Sequence, residues 1–184
     1  FKFNINGMAH SIRNSSLYAL QTNYMLNNSI FMDLKYSFME YSSGYYVYED
    51  PLDSRYVSGK YFQAQPGFYT GGQEKSHSSR TTQDNNIKFD LTWQINKNHN
   101  LKTGIDFVKH NIKNHYYTIL KDPNYEAYFP FIFQDSTLTT YNDIFDVSPS
   151  ELSFYIQDKM EFDAMVINFG IRYDRFNPNT LYPS

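Results

Sequence analysis

Residues 87–96 carry the clearest pattern in the chain, Ile87-Lys88-Phe89-Asp90-Leu91-Thr92-Trp93-Gln94-Ile95-Asn96. Every odd-numbered residue in this stretch is apolar or aromatic, and every even-numbered residue is polar or charged. Successive side chains of a β-strand point to opposite faces, whereas an amphipathic helix would repeat its apolar residues every three or four positions. The stretch therefore predicts a β-strand with one apolar and one polar face.

Five other stretches follow the same period of two, more loosely in residues 15–25, where Tyr18, Leu20 and Tyr24 share a face. Together the stretches predict six strands. Their approximate ranges are 15–25, 30–41, 85–96, 101–119, 150–161 and 165–176. In residues 1–14, Phe1, Phe3 and Ile5 also alternate, which fits the outer end of a preceding strand but leaves the assignment open.

The connections between these strands alternate between short and long. Short connections are expected at 26–29, 97–100 and 162–164, and long ones at 42–84 and 121–149. Outer-membrane barrels have short periplasmic turns and long extracellular loops, and loops beyond about 15 residues are uncommon in soluble domains. The alternating stretches also reach the roughly 9–11 residues that a membrane-crossing strand needs. We therefore predict an all-β fold, made of antiparallel up-and-down strands of a transmembrane β-barrel.

Composition supports this class of fold. Aromatic residues make up 19% of the 184 residues, with 18 Tyr and 16 Phe, yet the mean hydropathy is −0.61. A barrel combines these properties, because one face meets lipid, the other meets water and aromatic rings lie at the interfaces. A net charge of −3 argues against nucleic-acid binding, and the absence of cysteine excludes disulfides and thiolate metal sites.

The faces of the strands have different expected environments. The apolar set should point outward to lipid on the convex side with no protein layer over it, and it consists of Ile30, Met32, Leu34, Tyr36, Ile87, Phe89, Leu91, Ile95, Ile105, Phe107, Phe154, Ile167, Phe169 and Ile171. A charged set should point inward on the concave side, and it consists of Asp33, Lys35, Lys88, Asp90, Lys102, Asp106, Lys159, Arg172 and Asp174. A charge facing mid-membrane lipid costs roughly 2–4 kcal/mol, which is reason enough for these side chains to face inward.

Asp158 is an exception to the alternation. It has the parity of Phe154 and Ile156, so simple alternation places it on the lipid side. Two explanations are open. Either Asp158 already lies in the interfacial zone near the turn at 162–164, where a charge costs little, or a bulge resets the phase after Ile156. We favour the interfacial explanation.

Two stretches resemble a hairpin in the barrels of TonB-dependent receptors. They are Ser153-Phe154-Tyr155-Ile156-Gln157-Asp158-Lys159-Met160-Glu161-Phe162 and Ile167-Asn168-Phe169-Gly170-Ile171-Arg172-Tyr173-Asp174-Arg175-Phe176. In that family a strand ending in Tyr-x-Gln-Asp-Lys precedes a periplasmic turn and a Gly-x-Arg-Tyr-Asp strand. Residues 99–107 are similar to another strand of the family. Residues 46–57 resemble the first extracellular loop of Bacteroidetes-type receptors, which often carry a carboxypeptidase-regulatory-like domain at the N-terminus.

The resemblance implies a barrel of about twenty-two strands closed by an N-terminal plug, in the outer membrane of a Gram-negative bacterium. Energised TonB would open it to import a scarce solute such as a siderophore, vitamin, oligosaccharide or peptide. Residues 1–184 would then be a partial barrel domain with about six strands and no plug. Both ends look cut, so we expect a fragment. Its partners would be outer-membrane lipid, the remaining barrel and plug, the solute, and TonB through an N-terminal region absent from this chain.

Two other classes of protein remain open on the sequence. One is a non-transporting outer-membrane barrel, such as an adhesin, a structural barrel or a barrel-embedded enzyme. The other is a soluble all-β module that binds a ligand through an aromatic face. In the soluble module a second layer of protein would cover the apolar set, so the accessibility of that set distinguishes it from a barrel.

The sequence suggests no catalytic site, metal site or cofactor. It has no Gly-x-Ser-x-Gly elbow, no His-Glu-x-x-His pair and no Gly-rich phosphate loop. His110 and His115 lie five residues apart on one predicted strand, so an odd separation places them on opposite faces and they cannot share a metal without a bulge. We therefore predict that the chain is not an enzyme.

The best ligand candidates are the aromatic residues of the second long loop. Tyr125, Tyr128, Phe129 and Phe131 cluster there beside several acidic residues. Exposed rings beside carboxylates suit stacking on sugars or on cationic and aromatic parts of a ligand. The alternative is that the rings pack the loop onto its neighbours or join an aromatic girdle.

Overall fold

The computed structural model describes residues 5–57, 72–133 and 141–180. A short 3₁₀ helix, Ile5–Gly7, precedes the strands. The strands are β1 (His10–Asn27), β2 (Ile30–Tyr46), β3 (Ser76–Gln94), β4 (His99–Thr118), β5 (Leu120–Lys121), β6 (Pro130–Phe131), β7 (Asn142–Val147), β8 (Ser150–Phe162) and β9 (Met165–Asn177). No helix in the described ranges is long and apolar enough to cross a membrane.

Six long strands form one sheet in the order β1-β2-β3-β4-β8-β9, which confirms the predicted up-and-down arrangement. The pairs β4–β8 and β8–β9 are antiparallel with uninterrupted register. These strands run from 13 residues in β8 to 20 residues in β4, longer than the roughly 9–11 residues that cross a membrane. Each is therefore long enough to extend beyond the hydrocarbon layer.

The structure decides one assignment that the sequence left open and corrects the bounds of both long connections. β2 continues to Tyr46 and β3 begins at Ser76, so the first long connection is shorter than the predicted 42–84. Residues 10–14 begin β1 and residues 5–7 form the 3₁₀ helix, so the described part of 1–14 is not a preceding strand. The predicted loop 121–149 is interrupted, because β7 pairs with β4 before Ser148 and Pro149 separate it from β8. Proline has no N–H for a sheet ladder, and the amide of His110 instead donates to the carbonyl of Pro149 at 2.9 Å.

The chain divides into two compact units. The strand unit comprises Ser15–Glu40, Thr82–Asn111 and Val147–Ser184, and it contains all three short turns. Ten of the fourteen residues in the predicted apolar set are exposed there, and the other four are half-buried. No second sheet or helix in the described residues covers them. The described part of the strand unit thus lacks the buried apolar core that the soluble-module alternative requires.

The loop unit comprises Phe1–Asn14, Tyr41–Thr81 and Ile112–Asp146, and it contains both long connections. In the described ranges, all four buried hydrophobic side chains of the chain belong to this unit: Val47, Tyr56, Tyr117 and Ile119. Ala9, Tyr48, Tyr128 and Ile132 pack around them. This small core holds the connecting segments together.

Asp158 lies on the apolar face without any bulge. Its cross-strand partners are Leu101 on β4 and Phe169 on β9, and the register continues unbroken from Ser150 to Phe162. Directly paired residues point to the same face of a sheet. The bulge explanation is therefore excluded. His99, at the start of β4, lies 2.7 Å from Asp158 through its Nδ1 atom.

Candidate functional site

The predicted ligand residues lie on a small hairpin in the loop unit. Leu120 pairs with Phe131 and Lys121 pairs with Pro130. At the turn, the Asp122 carboxylate accepts a hydrogen bond of 2.9 Å from the amide of Asn124. Asp and Asn favour such turns because their short side chains bond to the nearby backbone. The turn and the two-residue ladder bring the two ends of residues 120–131 together.

The structure divides the four predicted aromatic residues into two groups. Tyr125 and Phe129 are about half exposed, at 52% and 49%, and their ring centroids lie 4.6 Å apart. Tyr128 instead packs against the buried core. Phe131 is half-buried and makes an edge contact with Phe133, with centroids 5.2 Å apart. Only Tyr125 and Phe129 present a free pair of rings.

Tyr128 packs beside a half-buried lysine that sequence reasoning missed. The Nζ atom of Lys75 lies 5.0 Å from the centre of the Tyr128 ring and 4.9 Å from that of Tyr56. It also donates a hydrogen bond of 2.9 Å to the carbonyl of Val57. Burial lowers the pKa of Lys75 to about 8 and raises the pKa of Tyr128 to about 12. This lysine connects the two long connections of the loop unit.

A column of stacked rings crosses the same unit. The His77 ring stacks on Tyr46 at 5.1 Å and on Tyr117 at 4.9 Å, between ring centroids. His77 donates through Nε2 to the carbonyl of Tyr48 at 2.9 Å, which leaves Nδ1 to accept a bond of 2.8 Å from the Tyr117 hydroxyl. Both ring nitrogens of His77 thus have hydrogen-bond partners within the protein, and the column is a structural element of the loop unit. Its members come from three strands, so no local pattern in the sequence identifies them.

The described part of the first long connection contains a local ion pair. The Asp53 carboxylate accepts bonds from the guanidinium of Arg55, which lowers the pKa of Asp53 to about 2. The guanidinium also lies 3.9 Å from the centre of the Tyr48 ring. The aromatic residues Tyr61, Phe62, Phe68 and Tyr69 fall outside the described residues.

On the polar face of the strand unit, charged side chains form ion pairs within single strands, and a tyrosine hydroxyl links two strands. Tyr155 donates a hydrogen bond of 2.5 Å to Asp90, and Lys88 lies 3.5 Å from the same carboxylate. Arg172 pairs with Asp174 at 2.8 Å. Because Tyr155 is the cross-strand partner of Arg172, these contacts place the predicted charged residues of β3 and β9 on one face, as the alternation predicts. Within the described residues, Lys102 has no hydrogen-bond or ionic partner.

The histidines do not form a metal site in the described part of the chain. His110 contacts Asp84 at 2.7 Å through Nδ1 and Glu151 at 3.5 Å through Nε2. His115 contacts the side-chain oxygen of Asn142 at 2.8 Å through Nε2. Both ring nitrogens of His110 and the Nε2 atom of His115 therefore have protein partners, and the two histidines belong to different compact units.

Comparison with known proteins agrees with the resemblance noted in the two strands of residues 153–176. A family model described as TonB dependent receptor-like, beta-barrel matches residues 3–180. No match was found among curated proteins. The family is one of transport receptors of the outer membrane, and it is not a family of enzymes. The six-stranded order, the exposed apolar face and this match lead to one assignment: the chain belongs to the TonB-dependent receptor β-barrel family.

Proposed function

We propose that this chain is part of an outer-membrane receptor for the TonB-dependent uptake of a scarce solute. The apolar face of the strand unit then meets lipid, and the polar face meets the lumen and the plug. Energised TonB acts on a part of the receptor outside this sequence. Family membership supports the transport role, and the exposure of the apolar set supports its contact with lipid.

The proposal for solute contact rests on the exposed pair Tyr125 and Phe129. Rigid aromatic side chains offer large contact area at a low cost in side-chain entropy. Here the two rings lie side by side at the tip of a hairpin whose backbone is held by the Asp122 turn. Glu126, also exposed, lies between them in sequence. Such a surface suits the sugar of an oligosaccharide, or an aromatic or cationic group of a siderophore, vitamin or peptide.

The four aromatic residues have different expected roles. Tyr125 and Phe129 contact the solute directly. Tyr128 and Phe131 hold the hairpin in place, the first against the buried core and the second against Phe133. A change at the first two positions should therefore affect binding alone, and a change at Tyr128 should also loosen the loop unit.

Binding to the full-length receptor in detergent micelles tests this assignment. A ferric siderophore, cobalamin, a linear oligosaccharide and a short peptide are titrated separately, and the probe that binds is then used with the variants. The double variant Tyr125→Ala/Phe129→Ala should weaken binding about tenfold or more, which is roughly 1.4 kcal/mol or above. The matched control Tyr125→Phe/Phe129→Tyr keeps both rings and should bind nearly as tightly as the wild type.

Unchanged binding in the alanine variant would show that the pair only packs the loop. Uptake of the bound probe by cells with and without TonB tests the transport role separately. Equal uptake in both strains would contradict a TonB-dependent role, and binding without uptake would favour the non-transporting barrel instead.

A further inference from the structure

A cavity of about 600 Å³ opens on the polar face of the strand unit. Its lining includes Lys88 on β3, Lys102 on β4, Tyr155 and Gln157 on β8, and Gly170 and Arg172 on β9. Of the ten residues that line it, three are cationic and none is acidic. The cavity lining is therefore positively charged, although the chain as a whole carries a net charge of −3.

Two glycines explain why the cavity exists. The ring of Tyr155 lies over Gly104 on β4, where a Cβ atom would come within 2.5 Å of its Cε1 atom. The ring thus leans away from its other cross-strand partner, Arg172 on β9. In the next row, Gln157 pairs with Gly170, which contributes no side chain. A Cβ atom at Gly170 would lie 2.9 Å from the carbonyl oxygen of Ile156, so β9 approaches β8 closely here and the backbone of Gly170 lines the cavity.

The three cations differ in how far their charge is neutralised. Lys88 lies 3.5 Å from Asp90, and Arg172 lies 2.8 Å from Asp174. Asp106, the remaining acid of β4 on this face, accepts a bond of 3.1 Å from the amide of Asn86. Lys102 is exposed and, within the described residues, has no acidic partner. The cavity thus has one uncompensated ammonium group and two donors with hydrogen-bonding capacity to spare.

We propose that this cavity binds an oxyanion, a carboxylate or phosphate group, with Lys102 as its principal ionic partner. Arg172 would supply planar N–H donors, which suit carboxylate and phosphate oxygens, and Lys88 would add a second ammonium group. The oxyanion then has two possible origins. The first rests on the receptor function proposed above, in which the oxyanion belongs to the solute. A carboxylate side chain from another part of the receptor has the same chemistry, and the experiment distinguishes the two sources.

The test uses the full-length receptor in micelles and inorganic phosphate as the probe, followed by ³¹P line broadening at low ionic strength. Phosphate should bind, and Lys102→Gln should weaken its binding about tenfold, whereas Lys102→Arg should retain it. Lys159→Gln is the matched control. Lys159 lies in the adjacent row beyond Gln157, forms an ion pair with Glu161 and does not line the cavity. Binding should also weaken as salt is added, because ions screen exposed charges.

Each outcome has a defined meaning. Phosphate binding that depends on Lys102 supports an open site for a solute oxyanion. No phosphate binding, combined with a lower unfolding temperature for Lys102→Gln than for Lys159→Gln, supports a carboxylate of the receptor itself as the occupant. No phosphate binding and equal unfolding temperatures would overturn the proposal. None of these measurements depends on TonB or on uptake, so the proposed transport function stands or fails independently.

Discussion

The hydroxyl of Tyr155 on β8 donates a hydrogen bond of 2.5 Å to the carboxylate of Asp90 on β3. The two residues are not on neighbouring strands, because β4 lies between them. The contact is possible because the intervening residue is Gly104, over which the tyrosine ring lies. The Tyr155 side chain thus links β8 to β3 across the intervening strand β4.

Removal of the Tyr155 hydroxyl should destabilise the barrel. Tyr155→Phe keeps the ring over Gly104 but leaves the Asp90 carboxylate without its hydrogen-bond donor on β8. Because Tyr155 and Asp90 are partly exposed on the polar face, we expect a loss of only about 1 kcal/mol in the free energy of unfolding. Urea unfolding of the full-length receptor in micelles measures it. In an Asp90→Ala background, which has no acceptor at this position, the same substitution should cost less, and equal costs in both backgrounds would show that the bond contributes nothing.

Gly104→Ala should also destabilise the protein. A Cβ atom at this position would lie 2.4 Å from Asp90 Oδ1, 2.5 Å from the Tyr155 ring and 2.9 Å from the carbonyl oxygen of Phe89. Overpacking of this kind costs roughly 1–3 kcal/mol. Tyr155→Ala should relieve part of the cost in the double variant, whereas the contact with the Phe89 backbone remains. Wild-type stability of Gly104→Ala would contradict the close approach.

The His99–Asp158 pair should stabilise the apolar face near the turns. Asp158 lies between Leu101 and Phe169, and within the described residues its buried Oδ1 atom has no hydrogen-bond partner. His99→Ala would leave this carboxylate without its side-chain partner, at a cost of about 1 kcal/mol given its partial exposure. His99→Leu/Asp158→Leu should restore stability or exceed it, because it removes the charged group from the apolar face. The urea midpoints of both variants check this, and a double variant less stable than His99→Ala would contradict it.

The loop unit should respond to pH through Lys75. Its folded-state pKa of about 8 lies below the ordinary value of 10.5, so the unfolded chain binds the proton more tightly. Stability should therefore rise as pH increases from about 8 to about 10.5, with no contribution to the slope below that window. Ionisation of Tyr128 opposes this rise above about pH 10, because its folded-state pKa is raised. Between pH 8 and pH 10, the change in stability therefore reports on Lys75 without the opposing effect of Tyr128.

Lysine ¹³Cε resonances of the full-length receptor measure this titration directly, and the signal missing from Lys75→Arg identifies the residue. We expect a midpoint near pH 8. Tyr128→Leu should shift the midpoint lower, because the site stays apolar but loses a ring face that favours the ammonium ion. A wild-type midpoint near 10.4, the value of an ordinary lysine, would show that Lys75 is solvated.

The 184-residue chain expressed by itself without detergent should aggregate. Its exposed apolar residues on all six long strands exceed what soluble monomers usually present to water. The end strands β1 and β9 each have one neighbour in the sheet, and open strand edges invite pairing with other chains. Size-exclusion chromatography with light scattering tests this, with refolding into micelles as the comparison. A monodisperse monomer in plain buffer would contradict the membrane assignment of the apolar face.

The sequence by itself determined the strands, their order and their two faces. Period-two alternation is local information, because each side chain's face depends only on its parity within the strand. The alternation of short and long connections likewise follows from the order of the strands along the chain. The sequence left residues 5–14 open, and it missed the last residues of β2, the first residues of β3 and the strand β7 beside Pro149, where local patterns are weak.

Only the tertiary structure decided which side chains meet. Tyr155 and Asp90 are 65 residues apart in sequence, and their contact depends on strand register and on the absence of a side chain at Gly104. The same holds for His99 and Asp158, 59 residues apart, and for the aromatic hairpin. In that hairpin Tyr125, Tyr128 and Phe129 look equivalent in sequence, yet the core formed by distant segments buries one of them and leaves two in solvent. Pairings across strands are long-range properties, and no local pattern encodes them.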